Sequence, residues 1–152
     1  MFNRIVVPLD GSPLAEKALD EAVGLAGRQG TPLFLVRAVD PPRAIVVSSL
    51  STTPSSGLAA HDDIGIEERA AHDYIDGKVI DLTARGQTVS GVVVIGPAAE
   101  AVASTLLDTD LLVLSSHGRT GIKRWFMGSV AEDILKRTSG SVYLVRHPHS
   151  DD

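Results

Sequence analysis

Short apolar runs and amphipathic stretches alternate along this chain with a regularity that predicts its elements. Ile5-Val6-Val7-Pro8-Leu9 is a β-branched run closed by Asp10-Gly11-Ser12-Pro13, which predicts a buried strand leading into a helix. Ser12 is placed to cap that helix and Pro13 to occupy its first position. Leu14, Ala18, Ala22 and Leu25 recur at helical spacing until Gly30 lets the chain leave, and Leu33 to Val39 forms a second apolar strand. Residues 41–60, rich in Pro, Ser, Thr and Gly, lack a helical period and predict a long mobile loop. A charged helix is expected over 61–85, with Ala71, Ile75, Val79 and Leu82 on one face and Gly86 as its stop.

The alternation continues with a strand at Val89 to Ile95, a helix over 97–107, and a strand over 111–114 entered through Asp110. A last helix runs from Ser129 to Arg137 and a fifth strand covers 141–146. Five strands interleaved with four helices predict an α/β fold, an open parallel sheet with right-handed crossovers that place helices on both faces.

The length of 152 residues suits one domain over 1–152, and no internal repeat divides it. Hydrophobic residues make up 43% of the chain, enough for a packed core. A net charge of −5 opposes a general nucleic-acid surface. One Trp, two Tyr and three Phe leave little material for stacking bases. The absence of Cys removes disulfides, thiolate metal sites and thiol catalysis together. No apolar run approaches the roughly 18 residues that span a bilayer, and the first ten residues contain an acid and a Pro. The cytoplasm is the expected location, with no membrane partner.

In sheets of this kind ligands lie outside the carboxyl ends of the strands, which directs attention to the turns after the first and fourth. The second of these, residues 115–129, holds three Gly and the cations Arg119, Lys123 and Arg124 without a single acid, an island of basic charge in an acidic protein. Glycines let backbone N–H groups approach an anion, and Ser129 opens a helix whose first N–H groups favour phosphate. Each residue alone has a plainer reading. Ser129 with Glu132 also spells a capping box, Asp10 suits a turn that bonds to its own loop, and Trp125, Phe126 and Met127 suit anchoring the loop to the core. Only the combination points to a ligand.

At this loop the chain resembles the universal stress proteins, whose signature is Gly, two residues, Gly, nine residues, Gly, then Ser or Thr. Ser115, Gly118, Gly128 and Ser129 stand at those positions, with Ser115 where the family has Gly. Val7-Pro8-Leu9-Asp10-Gly11-Ser12, Gly96-Pro97 and Asp110-Leu111-Leu112-Val113-Leu114 extend the likeness over almost the whole chain. The resemblance implies a sheet in the order 3-2-1-4-5 and ATP, with any Mg²⁺ it carries, as ligand. It implies adenine beside Pro8, Leu9, Asp10 and Ala38, and ribose and phosphates over Ser115, Gly118, Arg119, Gly128, Ser129 and Val130. A nucleotide-responsive stress or signalling module follows, paired as a homodimer through the fifth strand. The alternative is a dimeric interaction module of the same fold that has lost the nucleotide, and Ser115 is the feature that separates the two.

Other chemistries fare less well on the same residues. A P-loop and an early Gly-x-Gly-x-x-Gly are both absent. Ser116 and His117 are adjacent in sequence, outside any Gly-x-Ser-x-Gly turn. His147 and His149 sit in the terminal tail without a third ligand nearby, so no metal site of the protein's own is expected. No dedicated general base is legible, and slow ATP hydrolysis is the most that is expected.

Overall fold

The computed structural model describes residues 1–41, 57–116 and 127–146, except for the side chains of 57–64. Its elements run β1 (Arg4–Pro8), α1 (Pro13–Gln29), β2 (Leu33–Val39), α2 (Gly57–Ala84), β3 (Val89–Ile95), α3 (Ala98–Thr105), β4 (Asp110–Ser115), α4 (Ser129–Arg137) and β5 (Ser141–Val145). The strands form one parallel sheet in the order β3-β2-β1-β4-β5, as expected. Ile5 lies beside Leu33 on one side and Leu111 on the other, so β1 is central and nearly all of its side chains are shielded.

Local chemistry sets the limits of α1. The Ser12 hydroxyl accepts the Ala15 N–H at 3.2 Å, Pro13 starts the helix, and Gly30 closes it at a φ of 66°, a left-handed turn open to glycine. The buried stripe differs from the expected one. It consists of Ala15, Ala18, Leu19, Ala22 and Ala26, while Leu14 and Leu25 flank it half-buried. Four of its five members are alanines, whose small side chains let a helix lie close to a sheet.

Helix α2 starts at Gly57, so residues 57–60, expected in the loop, are helical; Leu58, Ala59 and Ala60 are good helix formers that extend it upstream. The rest of the proposed loop, 42–56, lies outside the described residues. Ala71, Ile75 and Leu82 are buried and Val79 packs beside them, as the periodicity predicts. The helix rests tightly on β3, where a Cβ on Gly91 would overlap Ile75 Cγ2 and stand 3.3 Å from Val79 Cγ2.

Helix α3 is shorter than expected. Pro97 is its cap, and the Ser104 and Thr105 hydroxyls donate to the carbonyls of Ala101 and Val102 as the helix ends. Helix α4 has the expected limits but a different cap: Gly128 takes that place without a side-chain bond, and Ser129 is the first helical residue. Ser129 therefore does not serve as the cap of a capping box. Strand β5 stops at Val145, one residue short of the expected limit.

The two faces of the sheet carry separate cores. Ile5, Val7, Leu33 and Leu35 pack with α1 and α2, whereas Val6, Val36, Leu112 and Leu114 pack with α3 and α4. At the amino ends of the strands Asp110 is only 2% exposed, and both of its oxygens are held by Arg4, through Nε and Nη2 at 3.0 Å each. The Leu107 N–H adds a third bond at 2.8 Å. Arg4 also donates to the Thr105 carbonyl and lies 4.3 Å from the Phe34 ring centroid. No described helix is long and apolar enough to cross a membrane.

Candidate functional site

Above the carboxyl ends of the strands, where the chain leaves β1 toward β2 on one side and β4 lies on the other, a cavity of about 420 Å³ opens. This volume falls within the range of small-molecule sites. Pro8, Leu9 and Asp10 line it from the first turn, and Ala38 lines it from the end of β2. Ser115 contributes from β4, and Gly128, Ser129 and Val130 from the start of α4. Eight of the ten residues singled out from sequence thus face one cavity. The remaining two, Gly118 and Arg119, lie outside the described residues, as do His117, Lys123, Arg124, Trp125, Phe126, His147 and His149.

The first turn is built by its own side chains. Asp10 Oδ1 accepts the Ser12 N–H at 2.9 Å, so the plain turn reading of Asp10 holds together with its place in the cavity wall. Gly11 follows at a φ of 79°, which turns the chain sharply into α1. Leu9 is buried, and its N–H donates to the Val36 carbonyl, tying the turn to β2.

The opposite wall is closed by a bond between the two ends of the basic loop. The Gly128 N–H donates to the Ser116 carbonyl at 2.8 Å, and the Ser116 N–H donates to the Val145 carbonyl. Ser116 and Gly128 are thereby held side by side at the cavity's edge. Met127 packs against the core beneath, in keeping with an anchoring role. The first N–H groups of a helix have no partner within it, and α4 presents that end beside the cavity.

Among the wall residues not singled out from sequence are three charged ones, Arg37, Asp40 and Glu67. Glu67 arrives from α2, and Arg37 from β2. Arg37 carries a signal that was available, since it is the one charged residue in Leu33–Val39. It lies 5.7 Å from the Tyr74 ring centroid, and Tyr74 in turn donates to Glu16 at 3.0 Å. Burial, followed by the bond to Glu16, pushes the Tyr74 phenol well above its ordinary value. Lys78, 2.8 Å from Glu16, holds that carboxyl below its usual range, chiefly by hydrogen bonding. No group of three or more His, Cys, Asp or Glu among the described residues is arranged to hold a metal ion.

Proteins of known structure share this architecture. A protein of Bacillus subtilis called universal stress protein YxiE is 27% identical over 96% of this chain and 100% of its own. The solved structure of MJ0577, from Methanocaldococcus jannaschii, superposes with a TM-score of 0.79 at 22% identity, covering 99% of each chain. A universal stress protein from Archaeoglobus fulgidus, solved in complex with dAMP, gives a TM-score of 0.59 at 19% identity, over 94% of this chain and 97% of that one. The sequence profile of the universal stress protein family matches residues 1–146, nearly the full length, and on that match the chain belongs to this family.

Proposed function

We propose that the cavity binds an adenine nucleotide, ATP with Mg²⁺, and that the protein acts in the cytoplasm as a nucleotide-responsive stress module built as one domain. The observation that carries this reading is the convergence of four separate segments, around 8–10, 38, 115 and 128–130, on one cavity beside the start of α4. Adenine would lie against Pro8, Leu9, Asp10 and Ala38, with the Asp10 carboxylate retaining acceptor capacity beyond its bond to Ser12. Ribose and phosphates would lie over Ser115, Gly118, Arg119, Gly128, Ser129 and Val130, where a helix start and basic side chains favour an anion. The dAMP complex of the Archaeoglobus relative supports a purine nucleotide as the class of ligand. No catalytic role is assigned to any residue.

Calorimetric titration with ATP and Mg²⁺ tests the proposal. Binding is expected, and Gly128→Val should abolish it while leaving the circular dichroism spectrum native, because φ at Gly128 is −56° and suits any residue. No heat at millimolar ATP would favour the second reading, a module that works only through protein contacts. Its motivating observation is Ser115, a side chain in the cavity wall where the family has Gly.

Both readings include a homodimer through β5, the edge strand after β4. Val142 and Leu144 pack inward on one face, Val145 on the other, and Tyr143 is 41% exposed. A second copy would complete the open edge. Light scattering should show about twice the 16.0 kDa chain mass, falling to monomer in Leu144→Pro. A monomeric wild type would exclude this assembly.

A further inference from the structure

Arg37 interrupts an otherwise apolar strand and points, by the alternation of β2, to the same side as Leu33 and Leu35. There its guanidinium meets Leu9 and Tyr74. Five N–H donors are available on this group, yet Nη1 makes one long bond, 3.4 Å to the Leu9 carbonyl. Nε is buried and has no hydrogen-bond partner among the described residues. Buried donors are nearly always paired, so an arginine left in this condition needs an explanation. Asp10, Asp40 and Glu67 line the same cavity, but Arg37 forms no ion pair with a described residue. The aromatic ring of Tyr74 supports the guanidinium, and among the described residues its Nη donors make no bond but the long one to Leu9.

We propose that Arg37 is a base-reading residue of the cavity and that it lets the site accept a guanine nucleotide as well as an adenine one. This rests on the nucleotide reading above and extends it to a choice among bases. Guanine presents two adjacent acceptors, O6 and N7, which a guanidinium fork meets with two parallel bonds. Its other edge carries N1–H and N2–H₂ donors, which suit the carboxylates of Asp40 and Glu67 on the cavity wall. Adenine pairs N7 with an amino group at N6, so a group that only donates can meet that edge once. Arg37 thus favours guanine, and the bond to the Leu9 carbonyl, being long, is readily exchanged for one to the ligand.

The test is a calorimetric titration of wild type, Arg37→Met and Arg37→Lys with GTP and with ATP, Mg²⁺ present. Wild type should bind GTP within about tenfold of ATP, and Arg37→Met should weaken GTP about tenfold more than ATP. Arg37→Lys keeps the charge but not the planar fork, so it too should lose GTP selectively. Equal weakening of both nucleotides in the variants would overturn the proposal, showing that Arg37 acts only as a general positive charge. Wild type that binds ATP but not GTP would also overturn it, with the nucleotide reading intact. Binding of neither would overturn both. Thermal melts identify a variant that fails to fold, in which case the other variant and the wild-type comparison decide.

Discussion

Replacing Arg4 by Met isolates the energetics of the buried pair at the amino ends of the strands. Asp110 is 2% exposed and accepts three hydrogen bonds, two of them from Arg4. Methionine keeps much of the apolar bulk but leaves the carboxylate with the Leu107 N–H alone. Breaking a buried ion pair from one side costs about 3–5 kcal/mol because the remaining charge is uncompensated. The Arg4 side chain is 24% exposed, so water reaches the vacated space and the lower end of that range applies. Lost contacts to Phe34 and the Thr105 carbonyl add about 1 kcal/mol. A loss of about 3–4 kcal/mol is expected overall. In urea, with a slope of about 2 kcal/mol/M, the unfolding midpoint should fall by about 1.5–2 M. Adding Asp110→Asn to this variant removes the stranded charge while retaining an acceptor for Leu107, and should recover part of the loss. A cost below about 1 kcal/mol, or a further loss on adding Asp110→Asn, would refute the reasoning. Nucleotide affinity should not change, because the pair lies at the end of the sheet opposite the cavity.

Gly91→Ala should destabilise the fold by about 1–3 kcal/mol, since the new methyl meets Ile75 and Val79, and Gly91→Ala with Ile75→Ala should cost less than the sum of the two in urea unfolding. Tyr74 yields a prediction about pH. The folded protein holds its phenol neutral, so the associated stability is full below the ordinary pKa near 10 and is lost as pH rises beyond it; Tyr74→Phe should flatten the alkaline limb of a plot of urea midpoint against pH, and an unchanged limb would show that another group sets it.

What was legible in the sequence was what short-range chemistry decides. Ser12, Pro13 and Gly30 state the ends of α1 without help from the rest of the chain, and Val89 to Ile95 is a strand by composition alone. The sheet order came from the resemblance, because hydrophobic patterns do not say which strand lies next to which. Errors arose where distant contacts choose. On α1 the expected face of Leu14, Ala18, Ala22 and Leu25 is right in its alanines, but the sheet is met by Ala15, Leu19 and Ala26 beside them, and Leu14 and Leu25 lie half-buried at the flank. The cap of α4 moved from Ser129 to Gly128, where the bond to the Ser116 carbonyl closes the loop. Glu67 was illegible as a cavity residue because its placement depends on how α2, a helix of 28 residues, is seated across β3. Arg37 was visible as an anomaly, but its meaning required the neighbouring turn and helix to be in place.

The cavity has walls from both halves of a divided interior. Ala15, Arg37 and Glu67 reach it from the α1 and α2 side of the sheet, while Val102, Ala131 and Ile134 reach it from the α3 and α4 side. A molecule held there would touch both cores, which among the described residues form distinct clusters on opposite faces of the sheet. Opening of either half would release it, so occupancy penalises both openings by the same mass-action increment. Amide hydrogens protected by α1 and those protected by α4 should therefore slow together on ligand addition, and two layers that fluctuate separately when empty should begin to exchange as one cooperative unit.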